Sequence, residues 1–191
     1  MAKKTGSGPY TEVEYQDSVD PALKGLVMQY VGDGENPHEV FNELLRQNRS
    51  RRLYNADGQT RPTTALALHL EAERDLRHSV KLARNLAKSG ESKQSGDESH
   101  HVVAARAQRA FPARRILFSV GIGVNDARNG INLQGAAHAP IHTMVYYMEV
   151  NTRLIETETL VQNDTLESRN EQIGNELVDM AEEIADGVFP Y

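Results

Sequence analysis

Residues 100–142 read HHVVAARAQRAFPARRILFSVGIGVNDARNGINLQGAAHAPIH, and the order of elements in this stretch decides the fold. It opens on adjacent histidines, His100 and His101, at the head of a β-capable run to Ala104. Successive side chains of a strand point to opposite faces, so the two imidazoles diverge. Pro112 to Val120 has the texture of a helix, and Gly121-Ile122-Gly123 breaks it. Asn129-Gly130 is a strong turn signal before a second short strand at Ile131 to Leu133. The stretch closes on His138 and His142, four residues apart and therefore about one turn apart on one helix face. Pro140 between them is tolerated where the helix starts close to His138, because proline fits a first turn.

Outward from this centre the chain reads as helical. From about Ala139 to Leu160 the pattern predicts a helix with Ile141, Val145, Met148, Thr152 and Ile155 on its apolar side. A last, acidic helix is expected from about Asp164 to Ala185, with Leu166, Ile173, Leu177, Met180 and Ile184 as its stripe. Upstream, the Ser/Gly/charged segment 89–98, SGESKQSGDE, reads as a linker. Before it the spacing predicts one long helix from about Pro62 to Lys88, with Leu66, Leu70, Leu76, Val80 and Leu86 as buried candidates. Asp20-Pro21 and Asn36-Pro37 are each a capping residue followed by proline in a first turn. The helix after Asp20 carries Leu23, Leu26, Val27 and Tyr30, and the one after Asn36 carries Val40, Phe41, Leu44 and Leu45. Residues 1–19 are polar and aperiodic. This divides the chain into an N-terminal tail and helical region (1–95), a core (96–160) and an acidic C-terminal helix (161–191) packed on that core. The fold class is α+β, mostly helical.

Composition narrows the function classes. The 191 residues include no cysteine, which excludes disulfides, thiolate metal sites and cysteine nucleophiles. No apolar run approaches a membrane span, and no apolar h-region follows Lys3 and Lys4, so no secretory signal is expected. The net charge of −6 is unevenly spread. Residues 46–88 carry +6 and 99–153 carry +4, between a −5 N-terminal stretch and a −9 C-terminal one. Clustered positive charge suits a phosphate-binding surface, although a charge run is also what a solvated face looks like.

Four of the seven histidines fall within 100–142, and an i,i+4 pair is a usual way for two imidazoles to share a metal. By contrast, His69 and His78 on a charged helix read as solvated surface groups, and His38 in a first turn carries no partner signal. Gly121-Ile122-Gly123 lacks the strand–glycine–helix setting of a dinucleotide site. Tyr146-Tyr147 reads as helix packing rather than base stacking.

His100-His101-Val102-Val103-Ala104, Arg115-Ile116-Leu117, Gly121-Ile122-Gly123-Val124-Asn125-Asp126 and Asn129-Gly130-Ile131-Asn132-Leu133, followed by His138 and His142, form one ordered set. Together they resemble the AHH family of the HNH/endonuclease VII superfamily, which supplies many nuclease toxins of bacterial polymorphic toxin systems. The steps of nine and four from Asn129 to His138 to His142 also resemble the nuclease domains of DNase colicins. The resemblance covers roughly residues 97–158, and Ser99 stands where the family's name has alanine.

The resemblance implies a small ββα-metal (HNH) core with an N-terminal helical region and a C-terminal helix. It implies that His101 is the general base for the attacking water, held by the side-chain amide of Asn129. Asn125 is the alternative for that amide, and Asn129 is preferred because Asn125 falls in the loop expected before the second strand. His100, His138 and His142 would ligate one divalent ion. Three imidazoles favour zinc, nickel or manganese, with magnesium still able to support activity. Arg106, Arg109, Arg114, Arg115 and Arg128 would contact phosphates, with Arg115 equally readable as a buried structural arginine. The expected function is a metal-dependent endonuclease acting on DNA in preference to RNA. Its expected setting is antibacterial: delivery by a specialised secretion system, action in a target cell's cytoplasm, and a cognate immunity protein. The alternatives are a non-catalytic nucleic-acid-binding or interaction protein on an HNH-like scaffold, and a helical module with structural histidines.

Overall fold

The computed structural model describes residues 19–48, 52–74, 77–135 and 141–191. Among them are seven α-helices and one two-stranded antiparallel sheet, in the order α1 (Pro21–Met28), α2 (Pro37–Gln47), α3 (Ala65–Arg74), α4 (His78–Ser89), β1 (Asp97–His101), α5 (Phe111–Ser119), β2 (Gly130–Gln134), α6 (Met144–Val161) and α7 (Leu166–Ala185). The α+β, mostly helical class is therefore what the chain adopts. No helix among the described residues is long and apolar enough to cross a membrane.

The first two helices begin where their caps require. The Asp20 carboxylate accepts from the Ala22 N–H at 2.8 Å and the Asn36 side chain from the His38 N–H at 3.0 Å, with proline in each first turn. Leu23, Val27, Phe41 and Leu45 of these helices close on Leu70 of α3 in a small apolar cluster. A larger core runs from Leu53 through both strands and α5 to Phe189.

Where one helix is expected over 62–88, the structure has α3 and α4; residues 75–76 between them lie outside the described residues. Arg77 stands at φ −117°, ψ 39°, outside helical geometry. The break lets α3 pack on α1 and α2 while α4 packs on both strands. It also corrects the reading of two histidines, since His69 (3% exposed) and His78 (6%) are buried. Burial pulls the His69 imidazole down to about 4; the Asp20 carboxylate opposes that shift and the Arg114 guanidinium reinforces it. As pH falls below 6.5 the unfolded chain takes up this proton before the folded one, so stability is lost between pH 6.5 and about 4. In urea unfolding, the wild type is expected to be about 2 kcal/mol less stable at pH 5 than at pH 7, and His69→Gln to remove most of that difference.

Helices α6 and α7 lie antiparallel. Arg153 pairs with Glu176 at 2.6 Å and Glu183 at 2.7 Å, and Arg169 pairs with Glu158. The acidic stripe folds as expected, with Ile173, Leu177, Met180 and Ile184 buried, although Leu166 is exposed. For α6 the expected face is the wrong one: Tyr146, Tyr147, Val150 and Leu154 are buried while Val145, Met148 and Ile155 face outward. Both faces of α6 carry apolar residues, so periodicity had little to choose between.

Two glycines let separate elements meet. Gly130 stands against Leu82 of α4, where a Cβ would come within 2.5 Å of Leu82 Cδ1. Gly58 has φ +76°, and a Cβ there would sit 2.2 Å from the Asn85 carbonyl oxygen. Gly58→Ala adds a left-handed backbone penalty to a collision with main chain, so a loss of about 3 kcal/mol is expected in denaturant titration. A loss under about 1 kcal/mol would show that the 55–60 turn can move away from α4.

Candidate active site

Strand pairing sets the first feature of the site. His101 is opposite Gly130 and His100 opposite Ile131 in the antiparallel register. Alternation along β1 turns His100 inward, where it is 1% exposed, and leaves His101 half-buried on the other face. The sheet is two strands wide and short, so its position depends on what packs against each face.

On the His100 face stands α6. Its Tyr146 hydroxyl donates to the Val102 carbonyl at 2.7 Å and meets His100 Nε2 at 3.0 Å. A hydroxyl whose proton is committed can only accept from the ring, so Nε2–H of a neutral His100 is the donor and Nδ1 keeps the lone pair. Burial pushes the Tyr146 phenol well up, and the neighbouring Tyr147 adds to it, so the hydroxyl keeps its proton. His142 stands two residues before α6, outside the helix that its spacing from His138 predicted, because Thr143 caps the helix there; its ring centroid is 5.1 Å from that of His100. Tyr147 stacks on His142 and its hydroxyl is 3.2 Å from His142 Nδ1. Two imidazoles on one tetrahedral ion, with metal–nitrogen bonds of about 2.0–2.1 Å, have centroids about 5 Å apart. The His100–His142 spacing fits that arrangement. Phenol hydroxyls at the other ring nitrogens are also the kind of second partner that orients a metal-ligating histidine. The third expected ligand, His138, lies outside the described residues. Among the described residues no three His, Asp or Glu side chains form a metal-holding group.

On the His101 face stands Asn125. Its Oδ1 is 3.2 Å from His101 Nε2, and its side chain also meets His78 Nδ1 of α4. Asn125 is 0% exposed, and its main chain is as firmly held as its side chain. Its N–H donates to the Tyr54 hydroxyl at 3.2 Å and its carbonyl accepts from Asn85 Nδ2 at 2.7 Å. Tyr54 in turn donates to Glu71 at 2.5 Å, and burial together with the Glu71 charge raises its phenol well above the ordinary range. Lys81 completes this group with an ion pair to Glu71 at 3.0 Å.

The amide that meets His101 is therefore that of Asn125, where the sequence analysis expected Asn129. Asn129, also 0% exposed, spends its side chain on main chain. Its Oδ1 accepts from the Val103 N–H at 2.8 Å, and its Nδ2 donates to the Val103 carbonyl at 3.1 Å and the Val124 carbonyl at 2.8 Å. These three bonds clamp the turn after β1 to the loop before β2. Spacing along the chain could not separate the two asparagines, since the difference lies in which direction the loop turns each side chain.

The expected phosphate-binding arginines divide. Arg106, Arg109 and Arg115 are exposed. Arg114 is 2% exposed, so it is not available to a phosphate: its guanidinium donates to the Ala104 and Ala107 carbonyls at 2.7 and 2.9 Å and lies over the Phe111 ring. Of the adjacent pair, Arg114 is thus the buried structural arginine and Arg115 the surface one. Arg128 is tied to Asp126 at 3.0 Å and to Asn170 of α7 at 2.9 Å, which commits its guanidinium to joining the site loop to the last helix. Sequence reasoning missed Tyr54, Asn85, His78 and the second role of Tyr146 and Tyr147. Tyr54, Asn85 and His78 have no local motif, because each reaches Asn125 from tens of residues away, as Tyr146 does His100; Tyr147 stands only five residues from His142.

Two histidines are thus sent to opposite faces of one strand, one beside a second imidazole and the other against a buried amide. No curated protein and no solved structure matches the chain. Residues 82–184 match the model of AHH, a nuclease family of the HNH/ENDO VII superfamily with conserved AHH. That match takes in β1, β2, the Asn125–Asn129 loop and both C-terminal helices, more than half of the sequence. With this coverage and the paired histidines within it, the chain belongs to the AHH family of nucleases.

Proposed function

We propose that the protein is a metal-dependent endonuclease that hydrolyses phosphodiester bonds of DNA. The observation that carries this reading is the division of labour along β1: His100 turns toward His142, and His101 turns to the opposite face against Asn125. One strand thereby separates an ion-holding imidazole from a proton-accepting one.

His101 takes the proton of a water molecule as that water attacks phosphorus, and Asn125 holds the ring at the correct angle. A divalent ion held by His100, His142 and His138 would neutralise the phosphate and ease departure of the 3′-oxygen. Arg106, Arg109 and Arg115 supply exposed positive charge for flanking phosphates, which position a duplex without reading its sequence. The superfamily relationship supports DNA over RNA. The resemblance to polymorphic toxin nucleases supports an antibacterial effector, delivered by a specialised secretion system into a neighbour's cytoplasm and neutralised in its producer by a cognate immunity protein.

The test is incubation of the purified protein with supercoiled plasmid and with single-stranded RNA, in EDTA or with magnesium, manganese, nickel or zinc. Plasmid nicking that requires an added ion is expected, and the ion is expected to raise the melting temperature because it binds the folded chain. Cleavage undiminished by EDTA would remove the metal from the mechanism. RNA cleavage with intact plasmid would change the substrate. An inert protein under every ion would point to a scaffold that binds nucleic acid without cutting it.

A further inference from the structure

We propose that His78, a residue outside the stretch that matches the nuclease family, is a positioning residue that sets which nitrogen of His101 accepts the proton. This rests on the reading of His101 as the base.

The inference follows donors and acceptors from one end of a hydrogen-bond chain to the other. The Ala72 carbonyl can only accept, so Nε2 of a neutral His78 ring, 2.9 Å away, carries the proton. Nδ1 of the same ring is then an acceptor. It stands 3.1 Å from Asn125 Nδ2 and 3.3 Å from Asn125 Oδ1, so the proton on His78 decides which of the two it engages. An accepting Nδ1 takes the Nδ2–H. With Nδ2 committed, Asn125 presents Oδ1 to His101 Nε2 at 3.2 Å. An amide oxygen can only accept, so His101 donates from Nε2 and its lone pair falls on Nδ1.

Neither intermediate can drift out of this arrangement. The backbone of Asn125 is held by Tyr54 and Asn85, and His78 is 6% exposed at the first position of α4. A carbonyl at the end of α3 thus dictates the tautomer of a base three links away. This also gives the helical region before the matched stretch a role in the reaction: α3 supplies the carbonyl and the first position of α4 supplies His78. A half-buried imidazole with an amide turned the other way would be offered Nδ2–H, and would place its lone pair on Nε2, facing the protein instead of the substrate.

Two-bond proton–nitrogen correlation spectra of the ¹⁵N-labelled full chain, recorded in EDTA at a pH where the rings are neutral, report which ring nitrogen is protonated. Both His78 and His101 are expected as Nε2–H tautomers in the wild type. His78→Leu removes the acceptor, and is expected to shift His101 towards a mixture and to lower kcat on plasmid about tenfold, the worth of one well-placed hydrogen bond, with KM unchanged. His78→Gln, whose amide can both donate to Ala72 and accept from Asn125, is expected to restore the His101 tautomer and most of kcat. A wild-type His101 protonated on Nδ1 would overturn the proposal without any variant. So would an unchanged tautomer and kcat in a folded His78→Leu. The expected tautomers in a protein that cuts nothing would support the hydrogen-bond chain and sink the nuclease reading instead.

Discussion

His101→Ala is expected to reduce metal-dependent plasmid cleavage by about 10²–10⁴-fold, the usual contribution of a positioned general base. The fold should survive. His101 is half-buried, its contact with Asn125 is a single side-chain bond, and losing such a bond costs about 1 kcal/mol. Ion binding should survive as well, because His100 and His142 meet on the opposite face of β1 and are oriented by Tyr146 and Tyr147 rather than by His101. The informative measurement is therefore a pair: initial nicking rate, and the rise in melting temperature on adding the supporting ion. A dead enzyme with an undiminished ion-induced shift assigns His101 to proton transfer. A variant that keeps more than a tenth of the wild-type rate would mean that another group takes the proton.

Asn129→Leu should act in the opposite way, on stability before chemistry. The substitution keeps roughly the volume and deletes three hydrogen bonds, leaving the Val103 N–H and the Val103 and Val124 carbonyls without the partners the amide supplies. A buried backbone group stripped of its partner costs about 1–3 kcal/mol, so about 4–6 kcal/mol is expected in all. That is a large part of the stability of an ordinary domain, and the variant should be unfolded or nearly so at 37 °C. Circular dichroism in a urea series would measure it. A variant that stays within 1 kcal/mol of wild type but cannot cut DNA would assign Asn129 to the chemistry, as the family resemblance implies, and would remove the clamp from the account of the fold. Asn125 and Asn129 thus divide one expected role: one amide meets His101, and the other holds the two loops that bring that amide to it.

Much of this was legible along the chain because it depends on local physics. Caps and prolines at Asp20-Pro21 and Asn36-Pro37 mark helix starts wherever they occur. The divergence of His100 and His101 follows from strand alternation once a strand is recognised, and Asn129-Gly130 announced the entry to β2. Net charge by segment also needed no coordinates. The pairing of residues far apart was different. Whether Arg114 or Arg115 is buried, and which face of α6 is covered, depend on what packs there, since both α6 faces are apolar enough to be covered. His78 reads as a surface residue from its charged neighbours, and becomes part of the site only because α3 and α4 part near Arg77 and point it at Asn125. The sequence by itself determined which imidazoles the protein owns, and that two of them lie back to back on a strand. Only the tertiary structure decided which amide meets His101 and through which ring nitrogen, because a hydrogen bond between residues 24 or 47 positions apart leaves no periodic trace in the chain.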